Sequence, residues 1–360
     1  MAITMKDIAR DLNVSVVTVS KVLRNHSDIS PETRKRVLRR VKELGYQPNL
    51  AARSLVTGLS YTIGLVIPTM THPFFAEIAK GISARIRRKG YSLVISSSEE
   101  DPELEKMEIG HLLARQVDAL IIATVQTSAE SFHRVQERKI PYVLIDRKFP
   151  GLNSNYVGVD DEEIGRLATN HLIESGCRRI AHIRGPELST GLGRLEGYRS
   201  ALAEHSLEIN PAYVVWGKSY DDNGEESGYE AMRKLLVLSP QPDAVVCFND
   251  PIAIGAMQAI WEVGLQVPQD IALIGAGNLR FDELLRVPLS SIDQRSVAIG
   301  EKAAILALQL IKQRKSMART QEILLRSSIV IRESSMKGVR MHSIRIARQK
   351  VSIAGDKLSK

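Results

Sequence analysis

Cysteine is almost missing from this chain: its 360 residues include only Cys177 and Cys247. Two thiols so far apart supply neither a disulfide framework nor a zinc site. The eight histidines fall at no metal-ligand spacing, so neither a metal nor another cofactor is expected. No stretch approaches the roughly 18 apolar residues of a membrane span. The opening MAITMKDIARD puts charges where a secretory leader needs an apolar run. These absences predict a soluble, cytoplasmic protein without a membrane partner. No Ser-His-Asp or metal-centred constellation stands out, which argues against an enzyme. What is present is 44% hydrophobic content, enough for sizeable cores in two or three domains.

Charge is unevenly placed. Residues 1–60 carry eleven Lys/Arg against five acids, and residues 337–360 carry seven against Asp356 alone. With a total of +8, the middle of the chain is mildly acidic. Basic ends around an acidic body suit a polyanion partner for the ends. Solvated charged faces are the alternative.

The N-terminal end reads as a small helical head. Thr4 with Asp7 fits a capping box, and Ile8, Ala9 and Leu12 share one helical face. Asn13-Val14 breaks the pattern. Ser15 then caps a second helix with Val19, Val22 and Leu23 inward. Two short helices across a tight turn form a helix-turn-helix. Left outside are Val16, Val17, Thr18, Ser20, Lys21 and Arg24. Adjacent exposed valines suit thymine methyl groups, and Lys21 one turn later suits a guanine edge or a phosphate. Packing of Val16 on a third helix is the alternative. That helix opens at Ser30-Pro31 and ends at Gly45, with Val37, Leu38, Val41 and Leu44 inward and Arg34, Lys35, Arg36, Arg39 and Arg40 toward water or phosphate. Beyond Tyr46-Gln47-Pro48, Asn49 can cap a helix of about two turns, too short to be stable unaided. Leu55 at its end is placed to wedge into a minor-groove step.

KDIARDLNVSVVTVSKVL, GYQPNLAARSL and the following IGLVIP together resemble the LacI/GalR family of bacterial transcription regulators, over residues 1 to about 335. The resemblance implies that the second helix reads the major groove through Val16, Val17 and Lys21, and that Leu55 opens the central base step. The DNA face then comprises Thr4, Ser15, Val16, Val17, Thr18, Ser20, Lys21, Asn25 and His26, with Ala52, Arg53 and Leu55 from the hinge. A homodimer on a palindromic double-stranded operator is implied. The valine pair differs from the polar pairs common at those positions, so the operator's outer bases do not transfer.

From Tyr61 onward, β-branched runs (YTIGLVIP, YSLVISS, DALIIA, YVLIDR, RIAHIRG, AYVVW, DAVVCF, DIALIGAG) alternate with helical segments. The βα alternation implies parallel sheets with helices on both faces. Eight strands exceed one small sheet, and the series restarts at NSNYVGVDDEEIG. The expected fold is therefore α/β: a helix-turn-helix head (residues 1–48), a hinge (49–60) and a core (61–335) of two doubly wound parallel-sheet lobes, with a basic tail (336–360). The resemblance implies a periplasmic-binding-protein-like core with lobe crossings near 160, 292 and 318.

A ligand cleft belongs at the carboxyl ends of the strands, between the lobes. Strand ends nominate Thr69, His72, Phe74, Phe75, Asp146 and Arg147 from one lobe, and Thr190, Arg194, Tyr220, Asn249, Asp250 and Asn278 from the other. By resemblance Arg194 and Asp250 are charged ligand contacts, and Phe74 or Phe75 stacks on a ring. A guanidinium, a carboxylate and an aromatic suit a small sugar-like effector. An interlobe salt bridge for Arg194 and core packing for Phe75 are the alternatives. One departure stands out: where relatives have IGFD, this chain has Ile274-Gly275-Ala276-Gly277-Asn278, without the carboxylate. The tail has no leucine heptads of a tetramerising coil. Gly191–Gly197 only superficially resembles a dinucleotide fingerprint, since its spacing is GxGxxxG. An architectural DNA binder whose core merely dimerises is the other reading.

Overall fold

The computed structural model describes residues 3–23, 26–46, 54, 57–126, 130–149, 151–217, 224–313 and 319–337. The chain divides into two units, Met1–Ser60 and Tyr61–Lys360.

The first unit holds α1 (Met5–Asp11), α2 (Val16–Leu23) and α3 (Pro31–Glu43). Each start is capped. The Thr4 N–H and hydroxyl donate to Asp7 Oδ2 (2.9 and 2.7 Å), Ser15 Oγ accepts from the Thr18 N–H (2.9 Å), and Ser30 Oγ accepts from the Thr33 N–H (3.2 Å). Ile8, Ala9, Val19, Val22 and Val37 form the core, with Leu12, Leu23, Val41 and Leu44 packed on it. Leu38, expected inward, is 47% exposed. Val37, Val41 and Leu44 fill the inward stripe, and the next residue round points about 100° away. The basic run of α3 also differs from expectation. Arg40 forks onto Asp11 Oδ2 (3.0 and 2.5 Å), Arg36 donates to the Leu12 carbonyl (3.1 Å), and Arg34 donates to the His26 carbonyl. These three brace the head, and Lys35 and Arg39 remain outward.

The second unit contains β1 (Thr62–Ile67), α4 (Pro73–Arg87), β2 (Ser92–Ser97), α5 (Pro102–Ala114), β3 (Ala119–Ile122), α6 (Glu130–Glu137), β4 (Tyr142–Ile145), β5 (Asn155–Val159), α7 (Asp161–Glu174), β6 (Ile180–Ile183) and α8 (Ser189–Glu204). There follow β7 (Val214–Val215), α9 (Gly224–Leu236), β8 (Ala244–Cys247), α10 (Asp250–Glu262), β9 (Ala272–Ala276), β10 (Ser290–Asp293), α11 (Ser296–Lys312), β11 (Glu322–Leu325) and β12 (Ser328–Val330). The described residues form two six-stranded sheets, ordered β11-β5-β4-β3-β1-β2 and β12-β10-β9-β8-β6-β7. Among the described residues all strand pairings are parallel except β10 with β12. Every residue of β3, β6 and β8 is buried, as in parallel sheets covered on both faces.

The chain passes between lobes after β5, between β10 and α11, and between β11 and β12. The third passage lies at Arg326-Ser327, later than the expected Lys315–Thr320, because Glu322–Leu325 still pairs with β5 in the first sheet. NSNYVGV likewise does not start the second lobe; it supplies β5, bonded to β4. The helix α8 begins at Ser189, so Gly191, Gly193 and Gly197 lie inside it and form no phosphate loop. Their role is close packing. A Cβ on Gly197 would sit 2.0 Å from the Glu162 carbonyl oxygen, and one on Gly193 2.8 Å from Asp161 Cβ. That approach of α7 to α8 brings Asp161 to Arg194.

Candidate functional site

The two sheets end on a shared cavity with an empty volume of about 920 Å³, its open mouth included. Its walls are strand carboxyl ends and the first turns of the following helices. The first lobe contributes Thr69, His72, Phe74, Phe75, Glu99, Glu100, Asp146 and Arg147. The second contributes Arg184, Thr190, Arg194, Trp216, Phe248 and Asn249, and Gln294 stands at the second passage between lobes. Phe74 and Phe75 meet edge to face, with centroids 5.3 Å apart. Asp146 takes a left-handed conformation (φ 62°), which an Asp tolerates and which turns the chain at the end of β4 into the cleft.

The cations are held by different partners. Arg147 forks onto Glu100 (2.9 and 2.7 Å), both in the first lobe. Arg194 donates to Asp161 Oδ1 (3.0 Å), the Phe248 carbonyl (2.6 Å) and Gln294 Oε1 (2.9 Å), and its guanidinium lies 4.4 Å from the Phe248 ring centroid. Since Asp161 and Arg194 start adjacent helices of one lobe, this is not an interlobe bridge. Hydrogen bonds that join the lobes among the described residues include His72 Nε2 with Asn249 Nδ2 (3.3 Å) and the Lys148 N–H donated to Ser189 Oγ (2.8 Å). Burial, with Arg147 and Arg194 nearby, pushes His72 down to about 4, so it is neutral at physiological pH. Burial raises Asp146, and it pushes Asp161 up to about 6 against the opposing pull of Arg194.

Among the residues read from sequence, the cavity brings together Thr69, His72, Phe74, Phe75, Asp146, Arg147, Thr190, Arg194 and Asn249. Two stand elsewhere. Asp250 is fully buried behind the wall, accepting from Ser291 Oγ (2.6 Å) and the Leu279 N–H (3.2 Å). It is Asn249, capping α10 through the Ile252 N–H (3.0 Å), that faces the cavity. Asn278 directs its side-chain oxygen to Arg332 (2.7 Å). Tyr220 lies outside the described residues. The residues missed by sequence are legible in part: Glu99, Glu100, Arg184 and Trp216 follow strand ends already marked, whereas Gln294 follows β10, whose SSID carries no strand pattern.

Behind the wall, Asp250 lies beside buried Asp282. Burial first, and the charge of Asp250 second, push Asp282 up to about 9. The folded chain therefore holds a proton there that the unfolded chain releases above about pH 4, so this group's contribution to stability falls as pH rises from about 4 to 9. Asp282→Asn should flatten that fall, by up to about 1.4 kcal/mol per pH unit. Thermal unfolding of both proteins between pH 5 and 9 measures it; parallel curves would mean that Asp282 releases its proton normally.

On the head, Val17 is 62% and Val16 38% exposed, and neither joins the core, so Val16 is not packed on α3 as the alternative had it. Thr4, Ser15 and His26 are exposed, and Thr18, Ser20 and Lys21 half-buried. Lys21 pairs with Asp28 at the surface, an ion pair that solvent and phosphate can displace. Ser54 is helical and its carbonyl accepts from the Gly58 N–H (2.8 Å). Asn25, Ala52, Arg53 and Leu55, and the tail after Lys337, lie outside the described residues.

A helix-turn-helix head joined to a two-lobed binding core defines a DNA-binding regulator of the ligand-responsive class. Residues 4–49 match the family described as bacterial regulatory proteins, lacI family, and residues 60–328 match the periplasmic binding proteins and sugar binding domain of LacI family. The chain belongs to the LacI family of transcription regulators. It is 34% identical to the HTH-type transcriptional repressor PurR of Haemophilus influenzae (strain PittEE), covering 91% of this chain and 98% of that protein. It is 36% identical to the ribose operon repressor of Haemophilus influenzae (strain ATCC 51907 / DSM 11121 / KW20 / Rd), covering 92% and 98%. The lac repressor dimer bound to operator and the anti-inducer ONPF matches with TM-score 0.81 and 28% identity, over 93% of this chain and 100% of that one. The transcriptional regulator CelR–cellobiose complex matches with TM-score 0.70 and 30% identity, over 92% and 99%. No described helix is long and apolar enough to cross a membrane.

Proposed function

We propose that this LacI-family regulator is a homodimeric repressor acting in the cytoplasm, without catalysis, on a palindromic operator under control of a small sugar-like effector in the cleft. The observation that carries the reading is the pairing, in one chain, of exposed valines on a helix-turn-helix with a cavity lined from the carboxyl ends of two sheets. Relatives named for ribose and cellobiose support a polyhydroxylated ligand. Phe74 or Phe75 would cover its apolar face while Asp146, Arg147, Arg194 and Asn249 meet its polar groups. Residues 1–48 read DNA, 49–60 form the hinge with Leu55 as the minor-groove wedge, 61–335 bind effector and dimerise, and 336–360 form a basic extension. A ligand that alters the angle between lobes would alter the spacing at which two hinges meet.

Selection of binding sites from random duplexes by the full-length protein tests this function. An inverted repeat, with its half-sites about one helical turn apart, is the expected consensus. Recovery of no consensus would favour a nonspecific architectural role.

A further inference from the structure

Two features of the cavity wall bear on the charge of its ligand. On one side of the cavity stands the segment after β9. No carboxylate reaches in from Ala276-Gly277-Asn278, and Gly277 leaves no room for one: at φ +142° its added Cβ would stand 2.6 Å from Asp250 Oδ2. On the other side it has a cation whose counter-ion is in water. Arg147 and Arg194 are matched inside by Glu100 and Asp161, whose side chains are 19% and 10% exposed. Arg184, at the end of β6, pairs at 3.2 Å with Glu187, which is 76% exposed, and stacks at 4.6 Å on the Trp216 ring. An exposed pair of that kind exchanges readily for a better-placed anion.

A helix start lines the same cavity. The sixteen-residue α8 is preceded by Leu188, which offers no side-chain cap, and its first turn contains no acid. Its uncapped N–H groups and the helix dipole favour negative charge. Within that turn Thr190 lines the cavity, is 1% exposed, and its hydroxyl has no hydrogen-bond partner among the described residues. A buried hydroxyl without a partner is costly unless a ligand supplies one. The acids on the cavity wall oppose this little: Glu100 is committed to Arg147, Asp146 lies on the opposite lobe 3.7 Å from the Arg147 Nε, and Glu99 is exposed to solvent.

We propose that the effector carries an anionic group, a carboxylate or a phosphate, held by the α8 N-terminus, the Thr190 hydroxyl and the Arg184 guanidinium. This rests on the effector-cleft reading above and narrows it to acidic or phosphorylated sugars.

The test is calorimetric titration of the full-length protein with matched probes: neutral hexoses and pentoses, their uronic and aldonic acids, and their monophosphates, with inorganic phosphate as the minimal anion. At least one anionic series should bind about tenfold or more tighter than its neutral parents, and which series wins identifies carboxylate or phosphate. Arg184→Gln should erase that preference. Arg184→Lys, which keeps the charge, should retain much of it and guards against a misfolded variant. Neutral parents binding as well as their anions, unaffected by R184Q, would overturn the anion subsite and leave the cleft reading standing. Silence of every probe would overturn both.

Discussion

Arg194→Ala should lower the unfolding temperature by about 10 °C and abolish the effector response. The buried guanidinium, 4% exposed, holds Asp161, the Phe248 carbonyl and Gln294 at once. Removing one member of a buried ion pair costs about 3–5 kcal/mol, because the other charge is left uncompensated. Each kcal/mol is worth about 2–4 °C in a domain of this size. Burial already pushes Asp161 up to about 6 with the arginine in place, so its carboxyl should go higher without it. The double variant R194A/D161N should recover much of the stability, having no orphaned charge, but not the effector response. Differential scanning calorimetry and ligand titration separate the two effects. Unfolding of R194A at the wild-type temperature would contradict the clamp.

On the head, Val17→Asp should cost at least about a hundredfold in operator affinity. Loss of readout at one base pair costs about 1–3 kcal/mol, and in a homodimer it is lost at both half-sites. The new carboxylate also faces the phosphate backbone. Because Val17 is 62% exposed and outside the head's core, the thermal transition should not move. Fluorescence anisotropy with operator and with scrambled duplex is the measurement. Equal operator binding by V17D and wild type would take Val17 out of the base-reading face.

What could be read from sequence depended on burial period and on committed polar groups. The head was legible because Ile8, Val19, Val22 and Val37 recur at helical spacing between capping residues. The central strands were legible because both faces are covered and their residues are uniformly apolar. Short strands with polar positions, SSID and SIV, carried no such signal and are defined by pairing in space. The site followed the same division. Strand ends located most of the wall, but sequence could not tell which polar group of Asn249-Asp250 points into the cavity. That is decided by the cap of α10: Asn249 turns to the Ile252 N–H at the cavity edge, and Asp250 turns inward to Ser291. Nor could it tell that Asn278, standing where a carboxylate is expected, is already taken by Arg332.

Repression under effector control requires reciprocal linkage between cleft and DNA. Its most direct test is the dissociation constant of full-length protein for its selected operator, measured by anisotropy across a titration of a ligand that calorimetry has placed in the cleft. The dissociation constant should change by about tenfold or more, within the usual range of coupling free energies. Its midpoint should follow the ligand's own affinity, and saturating operator should shift the ligand's affinity by the same factor. An operator affinity that stays constant while the cleft fills would contradict it.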